Sequence, residues 1–350
     1  MDLELLWQEF GADDLNRKLN ALFPETGISL TEMLGELAEG KLWEVLTKTM
    51  RIGFTGMEDG LEGIWKVLGV LIALGVFGAL FIRFSGLFEK YRVGEISFYY
   101  VYLMQTMILI RCFVHLRDTA DAALNHMILF MKLMMPAYYM TVGAAVGSVT
   151  ASAGYQMLLF LLYGCNEILR EGFLFLATVL FLVTIMEGLL PGGRMEYIVK
   201  LLGRGMEIGL KGILGTVAGI GFLQTALAPA LDSLKGSFVQ RMITAVPGVG
   251  SGAESAMQLA AGAALAVKNS FGIILFLLLT SFSLSPLLQL LFWALGLKTA
   301  AAIMGLAGDM RLVKEADRMG EIAFFFLRIA GTGLVLFWIS IAVVITAVRK

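Results

Sequence analysis

The sequence predicts an all-α fold: a polytopic helical membrane protein with two Pro/Gly-interrupted segments, broken or re-entrant, and a small N-terminal helical domain outside the membrane. Three observations predict it. Of 350 residues 58% are hydrophobic and only 16% charged, against roughly 25% charged in soluble domains. Six apolar runs reach the length a membrane-spanning helix needs. Two further apolar stretches are broken by proline and glycine, and the backbone groups freed there require cover by other helices or a water-filled cavity, because lipid cannot hydrogen-bond them.

Residues 1–65 form the expected extracytoplasmic domain, and residues 66–350 the transmembrane domain. The first part holds 13 Asp/Glu and 5 Lys/Arg, a net of −8, so the remainder carries +7 to give the overall −1. Leu3, Leu6, Trp7 and Phe10 recur at helical spacing, as do Leu15, Leu19 and Leu22, and Pro24 to Gly27 supplies a turn. Ser29 and Glu32 fit a capping box opening a helix whose apolar face is Leu30, Met33, Leu34, Leu37 and Leu42. No cleavable signal peptide is legible before the first long apolar run near Val67, so the chain is expected either to follow one already removed or to cross without one.

Spans are expected near residues 67–84, 96–116, 172–190, 212–231, 271–295 and 322–348. Residues 194–211 alternate Arg194, Lys200, Arg204 and Lys211 with Met195, Ile198, Leu201, Leu202 and Ile208, the pattern of an amphipathic basic helix lying in an anionic interface. The basic residues also set the orientation. With the acidic N-terminus outside, three loops, 83–95, 192–211 and 296–320, face the cytoplasm with eleven Lys/Arg, while the external connections hold Arg117, Arg170 and Lys235. The parity of the last crossing resists this count, since Arg349 and Lys350 then end outside.

The interrupted segments are 122–166 and 236–270. The first sets Lys132 and Pro136 in apolar sequence, followed by Gly143 and Gly147; the second runs through Arg241, Pro247, Gly248, Gly250 and Gly252 to Glu254. Paired interruptions of this kind point to a site or path at a repeat interface. Lys132, Pro136, Gly143, Gly147, Pro247, Gly248, Gly250 and Glu254 are therefore the candidate pathway-lining or gating residues, with Lys132 balanced between that role and snorkelling to the interface. Glu187 and Lys268 read as interfacial.

Little chemistry is legible. Gly248, Gly250 and Gly252 follow no strand and precede no Gly-Lys-Ser/Thr, so a nucleotide site is not indicated. Cys112 and Cys165 fall in apolar sequence, where thiols behave as small hydrophobes. His115 and His126 would share a face of a continuous helix, but Arg117 to Asp121 is expected to interrupt it. No catalytic constellation, metal site, cofactor or nucleic-acid partner is expected.

Several segments resemble the stage III sporulation protein AE family of endospore-forming bacteria. The carriers are FMKLMMPAYYMTVGAAVGSVTASAG (130–154), KLLGRGMEIGLKG (200–212), VPGVG (246–250), VKNSFGI (267–273) and KTAAAIMGLAGDMRLVKEAD (298–317). The chain departs from the family pattern at Gly308 to Arg311, where relatives carry a glycine run closed by proline, and at Ser255 and Gln258, where acidic residues are expected. The resemblance implies a multi-pass protein of the mother-cell membrane around the forespore. It implies membership of a secretion-like channel complex with a cytoplasmic ATPase and ring-forming proteins, and a requirement in late forespore gene expression. Self-association and contact with lipid are further expectations. A secondary transporter for a small solute and a structural membrane anchor are the alternative readings.

Overall fold

A computed structural model describes residues 16–17, 20, 29–54, 57–86, 93–146, 149–189, 195–244, 250–306 and 309–346, and leaves the side chains of 133–156 and 224–271 undescribed. The described residues are almost entirely helical and contain no strand. In chain order the helices are α1 (Leu30–Ala38), α2 (Leu42–Phe54), α3 (Met57–Gly86), α4 (Val93–Val146), α5 (Val149–Glu167), α6 (Leu174–Leu189), α7 (Glu196–Thr244), α8 (Gly250–Gly305) and α9 (Met310–Thr346). A π-helical turn, Ile168–Phe173, joins α5 to α6.

Six helical stretches are long and apolar enough to cross a membrane: Gly60–Ser85, Gly94–Lys132, Phe160–Leu189, Glu196–Leu223, Gly272–Gly305 and Met310–Ile339. They correspond in order to the six expected spans. Their surfaces carry exposed Phe77, Leu80, Phe81, Leu103, Met107, Phe160, Phe175 and Leu182, which a soluble bundle would bury.

The chain is more continuously helical than its sequence suggests. Pro136 and Gly143 lie inside α4, whose 54 residues also pass through Arg117 and Asp121 without a break. The expected interruption from residue 122 therefore gives way to helix as far as Val146. Gly147 lies outside the described residues, as do Pro247 and Gly248, and α8 begins at Gly250. Residues 194–211 were expected as a separate interfacial helix; from Glu196 they run without interruption into the following span, as the first part of α7. A proline the sequence reading did not single out, Pro286, sits inside α8. It removes one helical N–H and crowds the preceding turn.

At the N-terminus Ser29 caps α1, its hydroxyl accepting from the Glu32 backbone N–H at 3.3 Å. Gly40, at φ +80°, turns the chain into α2 in the left-handed region that glycine adopts without strain. Lys48 of α2 bonds to Glu32, at 2.8 Å, and to Glu36 of α1. Both helices pack on α8, where the Ser281 hydroxyl donates to the Thr49 carbonyl. The boundary expected near residue 65 falls within α3, which starts at Met57 and continues into the first span.

Aromatic stacking ties the centre of the bundle together. Phe113 of α4 stacks on Phe181 of α6 with centroids 4.1 Å apart, and Phe326 of α9 lies 5.6 Å from Phe113. Offset ring pairs of this kind add about 0.5–1.5 kcal/mol beyond their burial. Phe130 and Phe337 meet edge to face farther along, at 5.7 Å.

Candidate functional site

Burial selects the site. Polar groups inside a bundle are costly unless hydrogen-bonded, yet one group of them lies where α4, α6 and α9 meet. Gln105 is fully buried and Thr106 nearly so, on successive positions of an otherwise apolar stretch of α4. Glu315 of α9 is 4% exposed between them. Thr106 Oγ1 donates to Glu315 Oε1 at 2.7 Å, and Gln105 Nε2 donates to Glu315 Oε2 at 3.1 Å and to the Leu312 carbonyl at 2.7 Å. Gln105 Oε1 is buried with no hydrogen-bond partner among the described residues. Tyr102, one turn earlier, donates its hydroxyl to the Ile185 carbonyl of α6 at 2.9 Å.

One turn on from Glu315, Arg318 forms a two-pronged ion pair with Glu187 of α6, the longer contact being 2.8 Å. The Glu187 side chain is only 6% exposed. Geometry of this kind suits arginine, whose planar fork matches a carboxylate. Glu187, expected near the membrane interface, therefore also belongs to the buried network: α9 folds back along α6 and covers it.

Next to this network a cleft of about 290 Å³ opens between α6, α7 and α9. Its polar side holds Lys200, Arg204, Glu207, Arg318, Glu321 and Arg328. Arg328 pairs with Glu207 across the cleft, Lys200 with Glu196 at 2.7 Å, and Glu321 with Lys298 of α8 at 3.4 Å. The other side is apolar, with Leu180, Val199, Ile322 and Phe325. The cleft and the network share Arg318.

Two basic segments far apart in sequence, 195–211 and 298–318, converge at this end of the bundle beside the start of α4. Arg311 lies over the Phe98 ring near the start of α4, at 3.5 Å, and Lys298 reaches Asp317 of α9 at 2.7 Å. The opposite limit of the α4–α6 contact is marked by Arg170 of the π-helical turn, bonded to Asp121 at 2.8 Å.

None of the eight residues singled out from the sequence is among the described residues that line the cleft. Lys132 is exposed, with its Nζ 4.9 Å from the centre of the Tyr163 ring of α5. Pro136 and Gly143 continue the α4 backbone, Gly250 opens α8, and Glu254 lies on α8 with its side chain outside the description. Glu315, Gln105, Thr106 and Arg318 were missed. A signal existed: an amide and a hydroxyl on adjacent positions in the middle of an apolar run, and a Glu and an Arg three positions apart on one helical face. Reading 296–320 as a loop concealed it, since Met310 already begins α9.

Among the described residues no group of His, Cys, Asp and Glu is placed to hold a metal ion. His115 packs against Trp293 of α8, with ring centres 5.7 Å apart.

A family model described as stage III sporulation protein AE matches residues 28–348. The stage III sporulation protein AE of Bacillus subtilis (strain 168) is 23% identical over 288 residues, covering 81% of this chain and 71% of that protein. No solved structure matches the chain.

Proposed function

The chain belongs to the stage III sporulation protein AE family, and from that membership we propose that it is an integral component of the secretion-like channel complex between mother cell and forespore. In this reading it lies in the mother-cell membrane around the forespore, with its N-terminal residues extracytoplasmic. Its partners are the other proteins of the complex, including the cytoplasmic ATPase and the ring-forming proteins.

One observation carries the reading. The basic residues of 298–318 and the Glu187–Arg318 pair gather with the start of α7 at a single end of the bundle, and the positive-inside rule turns that end toward the cytoplasm. A rigid, charged platform there suits docking of a cytoplasmic partner. Lys314→Glu, at an exposed position of α9 outside the cleft, tests it in sporulating cells. The expected result is loss of ATPase co-purification and of late forespore reporter expression with normal membrane insertion. Retention of both rejects docking at this end.

A gated path through the two Pro/Gly-rich segments, lined by Lys132, Pro136, Gly143, Gly147, Pro247, Gly248, Gly250 and Glu254, is the second part of the proposal. Cysteines at Ser148, Ser251 and Ser285 probe it: labelling of none from either side removes the path.

The transporter reading draws on Glu315, because an ionisable group buried in a membrane bundle commonly marks a route for ions or protons. It requires solute flux in proteoliposomes containing this protein alone, whereas a channel component acting only within its complex gives none.

A further inference from the structure

The cleft between α6, α7 and α9 has a chemistry that neither docking nor the Pro/Gly-rich segments use. Its polar side holds four cations against two carboxylates. The carboxylates are already engaged, Glu207 by Arg328 and Glu321 by Lys298. Arg318 is held by Glu187, and Lys200 by its neighbour on the same helix, Glu196. Arg204 is exposed and makes no ion pair among the described residues, so a full guanidinium fork faces the cleft uncommitted.

The rest of the cleft does not suit a soluble anion. Val199, Ile322 and Phe325 give it an apolar wall. Gly203 deepens it, since a Cβ there would stand 3.5 Å from the Phe325 ring. On the outer face of α7, Tyr197, Leu201 and Ile208 are exposed beside the cations. Cations at one level and exposed aromatic and aliphatic groups beside them are the composition of a helix at the headgroup boundary. Basic pockets between membrane helices on the cytoplasmic side take phospholipid headgroups.

We propose that this cleft binds an anionic phospholipid, with its phosphate on Arg204 and Lys200 and one acyl chain along Val199, Ile322 and Phe325. The site goes beyond the channel-complex reading and stands without it. A lipid here bridges α7 to α6 and α9 and completes the charge balance that Arg204 leaves open.

Purified, delipidated protein in detergent is titrated with phosphatidylglycerol, phosphatidylcholine or inorganic phosphate, and retained lipid is read by native mass spectrometry beside the thermal midpoint. Phosphatidylglycerol is expected to stay bound and raise the midpoint; phosphatidylcholine and phosphate are expected to do neither. Arg204→Ala weakens phosphatidylglycerol retention by about tenfold, the loss of one charge-assisted contact. Lys211→Ala, on α7 but outside the cleft, leaves it unchanged. Equal retention of the two lipids, a midpoint shift given by phosphate alone, or full retention by folded Arg204→Ala each overturns the site. Should Arg204→Ala not fold, a photoreactive phosphatidylglycerol on the unmodified protein decides: crosslinks confined to the α7 peptide around Lys200 and Arg204 support the site, and their absence overturns it.

Discussion

Glu187 and Arg318 are 131 positions apart in the chain and share one buried pair of bonds. Removing a single partner from such a pair strands a charge, at a cost of about 3–5 kcal/mol, whereas replacing both by apolar groups is often close to neutral. Glu187→Ala is accordingly expected to lower the unfolding free energy by about 3–5 kcal/mol, and Glu187→Leu with Arg318→Met to recover most of it, measured by denaturant titration in detergent. Additive losses in the double variant would show that the pair is not coupled. Asp309 makes a different residue-scale case. It caps α9, its carboxylate accepting from the Arg311 backbone N–H at 2.8 Å while its carbonyl accepts from Val313. Burial pushes its carboxyl up, but the Arg311 side chain and backbone N–H outweigh burial and hold it below the usual range. A lowered folded value stabilises fully above the unfolded value, about pH 4, and that stabilisation is lost as the pH falls through the folded value. Asp309→Ala should cost about 1 kcal/mol at neutral pH, with the gap in midpoint from the parent closing in acid.

Two of the three glycines of helix α9 carry opposite expectations. At Gly333 an added Cβ would sit 2.8 Å from Asn166 Oδ1 and 2.9 Å from a Leu124 methyl, so α4, α5 and α9 approach closely at that point. Gly331 meets nothing within 4 Å. Gly333→Ala is expected to destabilise by about 1–3 kcal/mol through overpacking, and Gly331→Ala to stabilise by about 0.5–1 kcal/mol through backbone entropy; equal responses would remove the close approach. At this scale the sequence was readable where apolar length alone decides, which is why the six spans emerge from it. The ends and interruptions were less readable. Pro136 and the charges from Arg117 to Asp121 locally disfavour a membrane helix, but Asp121 is neutralised by Arg170 from the π-helical turn and α4 continues. The buried network was hidden for a related reason: Glu315 looks like a loop charge until α9 folds back and sets it against Gln105 and Thr106. Tertiary partners, absent from any local window, decided both.

For the molecule as a whole, labelling tests the orientation. Cys112 and Cys165 are buried, so the parent protein offers little background. Lys314 and Asp118 are exposed near opposite limits of the α4–α6 contact, and cysteines placed there are expected to react with an impermeant reagent from opposite sides, Lys314→Cys from the cytoplasm. Reaction of both from one side would break the alignment of the basic end with that compartment. The 54 residues of α4, at 1.5 Å each, make a rod about 80 Å long, against a hydrocarbon layer about 30 Å thick. Such a member acts as a lever arm with the bilayer as its fulcrum: a tilt of about 5° about its midpoint moves each tip by roughly 3–4 Å at that length. A pull on one foot is thereby delivered, as displacement, to whatever stands at the far tip.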